Sequence, residues 1–147
     1  MQVESLKEIF ERDLNLLRKE IASYSKEESI WEISDDIKNS GGNLCLHLCG
    51  NLQHFIGATL GQTGYVRERD KEFADRNIPK EKLLAEIDTV IAIVKNVLSN
   101  LNDDDLPKEF PIDFLGKRRS IMEMLFQLIA HFNYHLGQIN YHRRMIK

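Results

Sequence analysis

Between Ser120 and Ile146, apolar side chains recur at helical spacing, as Ile121, Met124, Leu125, Leu128, Phe132 and Ile139. Two imidazoles, His131 and His135, occupy positions in that same stripe. A helix this long must bury one face against other helices, so the stretch demands a helical bundle. It also forces two histidines toward the bundle interior. Residues four apart on a helix stand one above the other, with Cβ atoms roughly 5 to 6 Å apart, so both rings can reach one metal ion. The alternative is a pair of packed core histidines, which needs hydrogen-bond partners for both ring nitrogens of each.

The rest of the chain reads as helix as well. Val3, Leu6, Ile9, Phe10, Leu14, Leu17 and Ile21 trace one face of a first helix running to about Tyr24. A polar connection follows, with Trp31 as its apolar anchor. A second helix is predicted from about Asn43 to Leu60, ended by Gly61 and Gly64. Gln62 to Asn77 is a mixed-charge run that reads as a solvated loop. A third helix opens near Pro79 and is apolar through Leu83, Ile87, Val90, Val94 and Leu98. Asn102-Asp103-Asp104-Asp105, Pro107 and Pro111 break it; the aspartates lack the spacing of a Ca²⁺-binding EF-hand. Ser120 and Glu123 form a capping box for the last helix, preceded by the basic turn Lys117-Arg118-Arg119.

With no strand pattern, the fold class is all-α: one domain over residues 1–147, a four-helix bundle. Connections of roughly 15 to 19 residues can cross the length of a bundle at about 3.3 Å per residue, so simple up-down alternation is not required. A net charge of −3 gives no basic field for nucleic acid or an anionic membrane. No apolar run reaches the roughly 18 residues that span a bilayer, and the first residues lack signal-peptide character. The expectation is a cytoplasmic protein whose partner is a small-molecule substrate. Cys45 and Cys49, four apart on the second helix, are read as reduced and packed.

A third ligand for the His131–His135 pair would have to come from the second helix. His47 and His54 share a face there with Leu44 and Asn51, but stand about 10.5 Å apart along the axis, too far for both to serve one ion. Spacing leaves either open and favours His47, which lies among Leu44, Leu48 and Asn51. Three imidazoles on a divalent ion leave coordination positions open for water or substrate. Zn²⁺ or Ni²⁺ is expected, with Fe²⁺ also compatible. Such an ion would activate a water for hydrolysis or hold a thiol for S-transfer. Phe132 after His131 excludes the zincin pattern, and no Glu-x-x-His pair indicates a di-iron bundle. Asn51, His54 and Gln138 are candidates to orient a ligand ring or the substrate. No further catalytic residue is assigned. Tyr134 and Tyr141 are assigned to packing or a dimer surface.

These elements, Trp31 ahead of the second helix, His47 within Asn39-Ser40-Gly41-Gly42-Asn43-Leu44-Cys45-Leu46-His47-Leu48-Cys49, and the late His131-x-x-x-His135-x-Gly137-Gln138 resemble the DinB and YfiT superfamily of bacterial proteins. The resemblance spans nearly the whole chain. It implies a bundle with a crossover connection, a homodimer, and a divalent metal held by His47, His131 and His135, which selects His47 over His54. That superfamily includes thiol-dependent S-transferases, isomerases, metal-dependent hydrolases and uncharacterised members. Gly50 to Ala58 is most similar to the uncharacterised branch. Three readings follow: a metal-dependent hydrolase or a thiol S-transferase, the latter using a low-molecular-weight thiol; a non-catalytic metal-binding protein closed by a fourth ligand such as His54; or a purely structural helical homodimer.

Overall fold

In the computed structural model, which describes residues 1–146, the predicted stripes become the buried faces of long helices. Helix α1 (Gln2–Ala22) buries Val3, Leu6, Phe10, Leu14, Leu17 and Ile21. A 3₁₀ turn at Glu28–Trp31 follows. It seats Trp31 against α2, where a Cβ at Gly42 would stand only 2.6 Å from the indole. The lack of a side chain at Gly42 is what lets the ring dock.

Helix α2 (Gly41–Leu52) starts two residues earlier than its sequence pattern suggests, because Ser40 is the N-cap and accepts the Asn43 N–H at 3.1 Å. From Gln53 to Leu60 it continues as a π-helix. The wider i→i+5 closure is seen where the Gly61 N–H donates to the Ile56 carbonyl at 2.9 Å. The short α3 (Arg69–Ala74) lies in the connection expected to be a solvated loop. That expectation is corrected: Glu72 on α3 is 6% exposed, and the segment is packed against α2. Helix α4 (Lys80–Ser99) begins directly after Pro79. Helix α5 (Ile121–Met145) carries the Ser120–Glu123 capping box. No β-strand is present among the described residues, only isolated bridges such as Ser34 with Ile37.

Polar contacts fix the helix directions. Arg18 pairs with Asp88 at 2.8 Å, and Lys80 donates to the Tyr24 carbonyl at 2.8 Å, so α1 and α4 are antiparallel. Asn133 donates to Asp13 and Asn140 to Glu20, each at 2.7 Å, so α1 and α5 are parallel. His47 meets His131 at 3.0 Å while Gly41 lies beside His142, so α2 and α5 are antiparallel. The arrangement is an all-α bundle running up-down-down-up, with α1 and α2 each packed between α4 and α5. The parallel pair α2 and α4 requires a chain return along the bundle, and α3 is part of that return.

The basic turn ahead of α5 is neutralised from within: Arg118 contacts Glu109 at 2.8 Å and Asp113 at 2.7 Å. Cys45 and Cys49 are free and buried. Tyr134 and Tyr141 lie on the outside of α5, 66% and 64% exposed, so within this chain they do not pack in the core.

Candidate metal centre

Because α5 keeps an unbroken helical register, His131 and His135 stand one turn apart, their ring centroids 4.6 Å from each other. Across from them, α2 contributes His47, whose ring centroid is 4.9 Å from that of His131 and 5.1 Å from that of His135. One nitrogen from each of the three rings lies within 4.8 Å of the others. His47 is 5% exposed, whereas His131 and His135 are partly open to solvent.

The proton positions follow from the partners. His47 Nδ1 is 3.0 Å from Glu72 Oε1. An ionised carboxylate only accepts, so Nδ1 carries the hydrogen and Nε2 carries the lone pair. His135 Nδ1 lies 2.7 Å from the Gln138 amide oxygen, which likewise leaves its Nε2 lone pair free. His131 Nε2 faces His47 Nε2 at 3.0 Å, and His131 Nδ1 is buried with no partner. Two imidazoles bound at about 2.0 to 2.1 Å to one ion hold their nitrogens about 3 Å apart, so this pair fits a shared cation. The donor set is therefore able to hold a metal.

Electrostatics favour the neutral imidazoles that such binding needs. Burial pushes the His131 pKa down to about 4, helped by the neighbouring His135, His47, Arg67 and Arg69. Burial also lowers that of His135, against the hydrogen bond it donates to Gln138, which acts in the opposite sense. For Glu72, burial alone would raise the pKa. Hydrogen bonds from His47 and Arg67 outweigh it, so the carboxyl is held below its ordinary range.

Glu72 and Arg67 were not among the sequence candidates. Arg67 grips Glu72 through Nε and Nη2, both at 2.9 Å. Its Nη2 also passes 3.3 Å from His47 Nδ1, but both are donors, and both serve the Glu72 carboxylate. Asn43 ties α3 in place by donating to the backbone carbonyls of Glu72 and Asp75 at 3.0 and 2.9 Å. The one signal in the sequence was Gly50, inside a helix and three residues past His47. A Cβ there would collide with the Glu72 carboxylate.

The other candidates separate. Gln138 is bonded to His135 as described. Asn51 is 7% exposed, with a buried side-chain oxygen that has no partner. His54 sits on the π-helical segment against Phe55, ring centroids 4.7 Å apart, and outside the three-histidine group. No curated protein matches the chain. A family model described as Protein of unknown function (DUF1572) matches residues 2–147, and the chain therefore belongs to the DUF1572 family.

Proposed function

We propose that this chain is a DinB/YfiT-like metal-dependent enzyme acting on a small molecule through one divalent ion held by His47, His131 and His135. The observation that carries the reading is the convergence of three imidazoles, two with Nδ1 committed to Glu72 and Gln138 so that Nε2 is left as a ligand. A bound divalent ion supplies Lewis acidity, toward hydrolysis by an activated water or toward S-transfer from a thiol. The chain's own residues orient and tune: Glu72 fixes the His47 tautomer and raises its basicity, Arg67 keeps Glu72 ionised, and Gln138 aims His135. A cleft of about 460 Å³, bordered by Ile37, Leu44, Gln138, Tyr141 and Met145, is of the size that admits a small molecule and shares Gln138 with the centre, though none of the three histidines lines it. Zn²⁺ or Ni²⁺ suits the all-imidazole set, with Fe²⁺ also compatible.

One observation favours a metal-free structural reading: 3.0 Å between His47 and His131 is also a hydrogen-bond length. That arrangement gives the free nitrogen of His135 nothing to do, while the buried Nδ1 of His131 lacks a partner under either reading. Elemental analysis of untagged protein, purified without chelator, decides between them. About one equivalent of a transition metal is expected, lost in His131→Ala. No metal in the wild type after incubation with Zn²⁺ and Ni²⁺ would leave only the structural reading.

A further inference from the structure

Among the described residues, Arg69 is the arginine whose guanidinium makes no hydrogen bond; Arg18, Arg67 and Arg143, for example, each hold a carboxylate. Of the neighbouring carboxylates, Glu68 is taken by Lys71 at 3.0 Å and Glu72 by Arg67, and Asp70 makes no ion pair with Arg69. Arg69 is nonetheless placed: its Cζ lies 5.3 Å from the centroid of the Phe73 ring, and that ring lies 4.8 Å from the His47 ring. Stacking on an aromatic face orients a guanidinium while leaving its N–H fork unspent. The result is a positioned, unpaired cation on the α3 side of the histidine cluster, close enough for its charge to be felt at His131.

We propose that Arg69 is the recognition group of this site, and that the site takes small molecules bearing an oxyanion, a carboxylate or a phosphate-type group. The inference rests on the metal reading above. The guanidinium fork matches two oxygens of such a group, and the divalent ion and Arg69 together select against neutral molecules of the same shape. Arg67 is committed to Glu72 and positions a ligand, whereas the one contact of the Arg69 guanidinium is the face of Phe73. Removing its charge therefore breaks no hydrogen bond to the histidine cluster.

Co²⁺ reports both events, because its visible absorption changes when a ligand enters its coordination sphere. Co²⁺-loaded wild type, Arg69→Gln and Arg69→Lys are titrated with acetate and with methylphosphonate, acetamide serving as the neutral control. Co²⁺ affinity is measured separately by chelator competition. Both anions are expected to perturb the spectrum and acetamide not to. Anion Kd should rise about tenfold in Arg69→Gln and recover in part in Arg69→Lys, with Co²⁺ affinity not lowered. Equal anion Kd in wild type and Arg69→Gln overturns the role of Arg69 while leaving the metal reading standing. Loss of Co²⁺ affinity in Arg69→Gln would make Arg69 a structural part of the centre and overturn the proposal as well. Failure of the wild type to bind Co²⁺ removes the metal reading and this proposal with it.

Discussion

His47 is held from behind by a carboxylate, and that contact is open to a direct test. Glu72→Gln keeps the shape but removes the charge that fixes the His47 proton. Metal affinity, measured by chelator competition, is expected to fall about 10- to 100-fold. Acid sensitivity follows from the same residues. With no metal bound, His131 has a pKa of about 4 against 6.5 for the free side chain, so between these values the unfolded chain binds more protons. Stability from the neutral imidazole is therefore complete above pH 6.5 and is lost as the pH falls toward 4. The depressed pKa values of His135 and Glu72 act in the same direction. Thermal melts across that window should show a falling Tm, with a flatter profile for His131→Gln.

At the scale of elements, the centre depends on how tightly α3 is fastened. Asn43→Ala removes both side-chain bonds to the α3 backbone, and hydrogen exchange should quicken across residues 67–76 while α1 and α4 stay protected. Gly50→Ala overpacks the Glu72 pocket and should cost about 1 to 3 kcal/mol in denaturant unfolding, together with weaker metal binding. The long helices were legible because each buries a stripe whose period is written in residue type, as in Leu6, Phe10, Leu14 and Leu17 of α1. His131 and His135 were legible for the same reason, being polar intrusions in such a stripe. Glu72 was not: in a run of alternating charges nothing local separates the one carboxylate that a tertiary contact buries from those left in water. His54 was placed by extending a 3.6-residue period through Gln53–Leu60, where the backbone widens to a π-helix.

For the molecule as a whole, the three imidazoles come together only in the folded bundle, so an ion that binds them raises stability by mass action. At one hundred times Kd the gain is about 2.7 kcal/mol, read as a Tm that climbs with free metal in wild type and stays level in His131→Ala. Cys45 and Cys49 provide an independent gauge of that global opening. Both are buried, and the Cys49 pKa is raised by its hydrogen bond with Cys45 and by burial. Labelling with a thiol reagent should be slow in the native protein and fast in denaturant.

The up-down-down-up course also sets an order of events during synthesis. His47, Arg67 and Glu72 belong to the first half of the chain and can meet as soon as α2 and the return segment have left the ribosome. His131 follows His47 by 84 residues, about 4 to 17 s at ordinary elongation rates. Through that interval the nascent protein displays one oriented imidazole and no chelate, a poor trap for stray cations. If the centre holds an ion, its capture is thereby deferred until the final helix arrives, and the ion enters a bundle that is already closing.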